Sequence, residues 1–316
     1  MNNLKKYLKF IFFILCVGYL SYELNNSLEN IKEIKINTPE IYFILITSVV
    51  FFNMISLRAF LLIKYTIGYL YSYSDWSKLH FESQILNSVI SFSGTVYKAI
   101  QLKKRDVNYT QFIAITFLIL FSYIAISLVF ILIELVLLQK IFFEIYLILG
   151  LVLILIIFFS PVIFDNLIKF FVKFKIFNKY LGSAYSLLEI LKEIYFKKTT
   201  IVILCLNTII VHIFEIVIFY LVCNIFLENI NAQTVIILFA ASFIIDRIPF
   251  VSEIPGASEI ILGTIGMPLG FFFIDGAIIK LTIRFLNYFS ILLNSGVYFV
   301  VSYFDKYKFK KKDRLK

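Results

Sequence analysis

The stretch from Asp246 to Glu259 reads Asp-Arg-Ile-Pro-Phe-Val-Ser-Glu-Ile-Pro-Gly-Ala-Ser-Glu and stands between runs apolar enough to lie in a bilayer. Pro249, Pro255 and Gly256 interrupt a helix there, because proline removes a donor and its ring forces the preceding residue out of helical geometry. Lipid offers a freed backbone group no partner, so irregular chain at membrane depth must be buried in protein or line a wet cavity. Ionisable side chains at that depth point to a binding site or a pathway. Glu253 and Glu259 flank the Pro255-Gly256 tip, where a carboxylate could attract a cationic headgroup or carry a coupling proton. In the alternative, Ser258 and Glu259 open the next helix, where an acidic group offsets unsatisfied N–H donors. Asp246 and Arg247 either pair with each other, locking the hairpin, or meet a substrate.

Lys280, Arg284, Asn287 and Asn294 recur at helical spacing and share one face of the last helix. A polar stripe among Ile, Leu and Phe must face protein or water. Arg284, through its bidentate fork, and Lys280 could hold a lipid phosphate, or they could neutralise Asp246, Glu253, Glu259 or Asp275. Thr208, His212 and Glu215 form another face, where a protonatable His beside a carboxylate would suit proton coupling and a hydrogen-bonded packing His would serve equally. Arg58, near the end of its apolar run, either snorkels to the interface or contributes to a site. Lys98, with Lys103, Lys104 and Arg105, forms a basic patch that could bind anionic headgroups, although topology alone accounts for much of it. Lys169, Lys173, Lys175 and Lys179, interleaved with phenylalanines, suggest a helix lying on an anionic membrane surface; nucleic acid is not expected.

The elements that must position these residues follow from composition. Of 316 residues, 61% are hydrophobic and only 16% charged, and the mean hydropathy is +0.92. Soluble globules are apolar to about 45–50%, so the chain reads as a polytopic membrane protein, all-α, with about six to eight crossings. The net charge of +10 is concentrated between apolar runs and at the chain ends, where it reads as topology. Three cysteines without Cys-x-x-Cys spacing and two histidines indicate neither a disulfide frame nor a metal site, and no cofactor is expected.

Five runs meet or approach the roughly 20 apolar residues a crossing needs: 4–22, 41–63, 112–138, 141–164 and 201–227. The first is expected to remain as an uncleaved signal anchor. Residues 23–40 hold four glutamates and two lysines, whereas 98–106, 169–198 and 306–316 are lysine-rich. The positive-inside rule then places both termini in the cytoplasm of a bacterial inner membrane. Two segments resist simple spans: 79–102, which carries Asn87, Gly94 and Lys98, and 234–268. A re-entrant or broken-helix hairpin at each keeps the charges on consistent sides, and the region 234–304 makes one crossing or three. The two segments would open on opposite faces, the pattern of an inverted repeat. The whole chain, 1–316, is then one integral membrane domain: a first half to 106, middle helices and the basic amphipathic segment over 107–199, a second half over 200–304, and a basic tail from 305.

The run from Pro249 through Glu259, followed by Gly263, Gly266-Met-Pro and a helix bearing Arg284 and Tyr288, resembles the flippase-like membrane domain of lysylphosphatidylglycerol synthases. Upstream, Arg58, Asn87, Gly94, Lys98 and the basic 102–105 stretch are similar as well. The chain departs from that pattern at Ser91 to Gly94, where a proline and a glycine pair are frequent, and at Ala257 and Ser258, where glycine is usual. The resemblance covers nearly the whole chain and implies the lipid-moving half without the aminoacyl-transferring half, so enzymatic activity is not the leading expectation.

Gly-x-Ser-x-Gly, His-Glu-x-x-His and a phosphate-binding glycine loop are all absent, which disfavours nucleophilic catalysis and NTP-driven pumping. The expected function is translocation of a phospholipid or lipid-linked glycan headgroup through a polar cavity lined by the two broken segments and the last helix. Two alternatives stay open: a membrane-embedded transferase with Glu259 and His212 as acid and base, and a scaffold for a lipid- or glycan-modifying system that works as a homo-oligomer or with a partner enzyme.

Overall fold

A chain in lipid must satisfy each backbone donor and acceptor within its own segment, and among the described residues every regular element is helical. The computed structural model describes residues 18–19, 22, 38–68, 72–89, 93–139, 189–190, 192–193, 197–227, 230–246, 251, 254 and 256–313. The helices are α1 (Thr38–Ile67), α2 (Tyr73–Val89), α3 (Ser93–Lys103), α4 (Tyr109–Gln139), α5 (Lys198–Phe226), α6 (Ala232–Asp246), α7 (Ala257–Gly266) and α8 (Phe273–Asp313), with a 3₁₀ turn at Met267–Leu269 between the last two. The expected runs 4–22 and 141–164 and the basic stretch 169–179 lie wholly or mostly outside the described residues.

Among the described residues, four helices are long and apolar enough to cross a membrane: Pro39–Tyr65, Tyr109–Ile131, Val202–Phe226 and Phe273–Val301. Between the third and fourth, α6 has 15 residues and α7 has 10. At 1.5 Å per residue they are about 22 and 15 Å long, short of a core roughly 30 Å thick. Among its described residues, the region after 234 therefore holds one helix of spanning length, preceded by a broken pair. The segment around 79–102 is likewise a pair, α2 and α3, packed against each other.

The last helix, α8, carries large apolar side chains on its exposed face and polar ones on its buried face. On α8, Lys280 is 3% and Asn294 2% exposed, while Phe285 is 63% and Leu292 59% exposed. Water would invert that order; lipid permits it, because an apolar ring loses nothing by facing hydrocarbon and a charged group must find its partners inside.

The described structure divides into two units, residues 1–48 with 214–290, and 49–213 with 291–316. In the first, α6 and α7 pack together, and α7 starts after Gly256, whose φ of 90° is open to glycine and strained for other residues. Gly263 of α7 and Gly276 of α8 let two backbones meet. A Cβ on Gly276 would lie 2.7 Å from the Leu262 carbonyl oxygen and 2.9 Å from the Gly263 Cα. Small residues serve membrane helices in this way, since packing and hydrogen bonds, rather than expulsion of water, hold them together. Gly276→Ala is expected to cost about 1–3 kcal/mol and to lower the Tm of the detergent-solubilised protein. Gly296→Ala, with nothing within 4 Å of its Cβ, should leave the Tm unchanged or raise it.

In the second unit, α2 docks on α1 through the Trp76 indole, which donates to the Ser56 carbonyl at 3.0 Å, and through the Ser56 and Ser77 hydroxyls, 3.2 Å apart. Phe60, Leu62, Trp76, Leu102, Ile115 and Leu118 belong to one buried apolar cluster there. Asn53, Asn294 and the Tyr298 hydroxyl make a hydrogen-bonded group in the same unit: Asn53 donates to Asn294, and Tyr298 donates to Asn53 at 2.7 Å.

Candidate functional site

Two polar clusters stand out, one in each unit. The first joins α6, α7 and α8. Lys280 donates to both carboxylate oxygens of Asp246 at 2.7 Å and to the Ser242 hydroxyl at 2.8 Å. Ser242 and Asp246 lie one helical turn apart on α6, so a single ammonium engages both. One turn along α8 from Lys280, Arg284 places Nη1 2.8 Å from Glu259 Oε1, and its Nη2 donates to the Ser258 hydroxyl at 2.8 Å. Ser258 in turn donates to Glu259 Oε2 at 3.0 Å, which closes a ring of guanidinium, hydroxyl and carboxylate. The Nη1 approach to Oε1 lies outside hydrogen-bond geometry, so that contact acts chiefly through charge. Glu259 is 1% exposed and Arg284 19%.

Of the alternatives the sequence left open, Lys280 and Arg284 thus neutralise Asp246 and Glu259. Glu259 occupies the first turn of α7, and no side chain caps that helix; its carboxylate turns to Arg284 instead. Gly256 forms the turn before α7. Arg247, Glu253 and Pro255 lie outside the described residues.

The second cluster lines a cavity of about 290 Å³ between α1, α2, α3 and α4, with Arg58, Trp76, His80, Thr95, Lys98 and Tyr123 among its walls. Arg58 is buried rather than snorkelling, its guanidinium carbon 5.1 Å from the Tyr123 ring centroid. Lys98 Nζ lies 3.0 Å from His80 Nδ1 and 5.4 Å from the Trp76 ring centroid. Burial holds His80 well below its ordinary pKa, and Lys98 and Arg58 reinforce the shift. Burial also brings Lys98 down to about 7. Both shifts reduce the charge that the three bases carry together, which moderates the cost of placing them side by side.

Asn87 and Gly94 build the hairpin that brings Lys98 to His80. The Asn87 side-chain oxygen accepts from the Gly94 and Thr95 amides at 2.8 and 3.2 Å, capping the first turn of α3. Tyr97 donates to Glu82 at 2.9 Å, a further tie between the two helices.

His212, on α5, is fully buried, with its ring centroid 5.4 Å from that of Phe130. Glu215 lies one turn further along α5 and is half-buried. His80 and Trp76, which sequence reasoning did not single out as site residues, turn out to be central to the second cluster. The available signal was that Trp76 is the single tryptophan and lies one helical turn before a His.

The family model for the lysylphosphatidylglycerol synthase TM region matches residues 7–294. No curated protein and no solved structure matches the chain.

Proposed function

Because the chain belongs to the lysylphosphatidylglycerol synthase transmembrane-region family, an integral membrane domain related to lipid modification or transport, we propose that it moves a phospholipid or lipid-linked headgroup between the leaflets of a bacterial inner membrane. The observation that carries this reading is the pair of ionic contacts, Lys280 with Asp246 and Arg284 with Glu259, set on a broken helix pair and a spanning helix. Burying Lys280 and Glu259 among apolar helices, with Asp246 and Arg284 only partly covered, is expensive. A lone span or an anchor has no need of them, whereas a headgroup crossing the bilayer needs fixed polar partners along its way. Each unit also contains one broken helix pair, α6–α7 in the first and α2–α3 in the second, and transporters built from inverted repeats place broken helices at their substrate sites. The headgroup would exchange with the ionic contacts while its acyl chains stay in lipid, and both chain termini would face the cytoplasm.

The test is leaflet redistribution of labelled phosphatidylglycerol, lysylated phosphatidylglycerol and a polyprenyl-linked sugar in proteoliposomes. Wild-type protein is expected to redistribute at least one of them, and Glu259→Gln, checked for an unchanged elution profile, to slow it roughly tenfold or more, the rate equivalent of about 1.4 kcal/mol. Soundly reconstituted wild-type protein that moves none of the three would sink the reading.

A further inference from the structure

Among the described residues, Lys98 Nζ meets His80 Nδ1 at 3.0 Å and the Trp76 ring, whose centroid is 5.4 Å away. A buried ammonium ordinarily meets a carboxylate, and no acidic residue lines the cavity beside this one. Two nitrogens in hydrogen-bond contact can hold one proton between them, carried by either. Two protons would set N–H against N–H and charge against charge. The pair therefore carries one positive charge or none, and its contact survives in both states. With the charge on Lys98, His80 Nδ1 accepts and Nε2 bears the ring proton; with Lys98 neutral, either nitrogen can donate to the other. Nε2 is buried and has no hydrogen-bond partner among the described residues. At about 290 Å³ the cavity has room for several waters, at roughly 30 Å³ each, so a proton can reach the pair while the helices stay packed. The other titratable groups of the cavity wall are Arg58 on α1 and Tyr123 on α4, with the guanidinium 5.1 Å from the ring centroid. Glu82, the next carboxylate along α2, is engaged by Tyr97 of α3.

We propose that Lys98 and His80 form a buried proton-binding site, which gains and loses a single proton while the α2–α3 hairpin stays closed, so that the charge in the cavity follows pH. Burial, which brings Lys98 down to about 7, sets the exchange close to neutrality, and His80, held lower still, takes no second proton there. In a membrane protein, a buried group that exchanges one proton can tie proton uptake to the movement of a cargo. The site itself goes beyond the lipid-translocation reading and does not rest on it.

Trp76, the single tryptophan, lies against both partners, with its ring centroid 6.2 Å from that of His80, so its emission reports on the pair directly. The full chain in micelles would be titrated from about pH 5 to 9, reading Trp76 emission. Wild type is expected to show one transition with the slope of a single proton and a midpoint of about 7. Lys98→Met, which holds no proton, and Lys98→Arg, which keeps its proton throughout, should each abolish the transition. Lys104→Met, on the exposed turn after α3, should retain it. His80→Phe removes the acceptor of the charged form and should lower the midpoint by about one pH unit or more, a tenfold loss of proton affinity. Tm supplies a second reading of the same site. Between a folded value of about 7 and the usual lysine value of about 10, the unfolded chain binds a proton that the folded one has released. Wild-type Tm should therefore rise relative to that of Lys98→Met as pH climbs through this window. The proposal is overturned if wild-type emission shows no transition near neutrality, if the transition survives in folded Lys98→Met or Lys98→Arg protein, or if folded His80→Phe protein keeps the wild-type midpoint. None of these readings requires transport, so failure of the proton site and failure of lipid movement are told apart.

Discussion

Arg284→Met is expected to destabilise the protein by about 3–5 kcal/mol, the cost of stranding a buried charge when its partner is removed. The asymmetry of the pair makes this the more damaging half. Glu259 is 1% exposed, so without Arg284 it keeps only the Ser258 hydroxyl, whereas Arg284 at 19% exposure retains an outlet. Glu259→Gln should therefore cost less than Arg284→Met, since the amide can still accept from the guanidinium and leaves no buried anion. The double variant Arg284→Met with Glu259→Gln should be more stable than Arg284→Met alone, because replacing a whole buried pair by neutral groups removes the desolvation penalty on both sides. Thermal unfolding of the four proteins in one detergent measures the cycle. Strictly additive effects would mean that the two side chains are not coupled, contrary to the ring they form through Ser258.

Gly94→Ala should open the α2–α3 hairpin. A Cβ there would lie 1.6 Å from the Ser83 carbonyl oxygen and 2.9 Å from the Asn87 side-chain oxygen. The first neighbour is backbone and cannot turn away as a flexible side chain would, so the two helices must separate. Overpacking of this kind costs about 1–3 kcal/mol, and losing the Asn87 cap on Gly94 and Thr95 adds about 1 kcal/mol. The same separation would pull Lys98 from His80 and admit solvent to Trp76, so a lower Tm should be accompanied by a red-shifted tryptophan emission. A Gly94→Ala protein with wild-type Tm and emission would show that the close approach of α3 to Ser83 is not required.

The helical class and the spanning helices were legible in the chain. Runs 41–63, 112–138 and 201–227 reappear as Pro39–Tyr65, Tyr109–Ile131 and Val202–Phe226, because the bilayer thickness and the need to satisfy backbone groups internally translate a long apolar run into a helix almost without reference to its neighbours. The interruptions were legible for the same reason: polar and proline-broken stretches that could not be plain spans became the pairs α2–α3 and α6–α7. Candidate side chains were also legible as types. Lys280 and Arg284 had to face inward, since an α-helix with Phe285 and Leu292 on its other sides leaves charged groups only a protein-lined face.

The choice of partners was not legible. Asp246, Glu253, Glu259 and Asp275 were equally available by charge to Lys280 and Arg284, and only the packing of α6, α7 and α8 pairs Lys280 with Asp246 and Arg284 with Glu259. His80 and Lys98 are 18 positions apart, a separation that matches no single helical face, and they meet because Gly94 lets one helix lie on the backbone of another. Arg58 could have snorkelled; the cavity beside Tyr123 holds it inside. By itself, then, the sequence determined which residues are helical, which helices can span a bilayer and which faces must turn from lipid, because those follow from local periodicity and the solvent. Which charge meets which, and where a cavity is left between them, only the tertiary structure decided, because such contacts depend on backbone approach distances between segments remote in the chain.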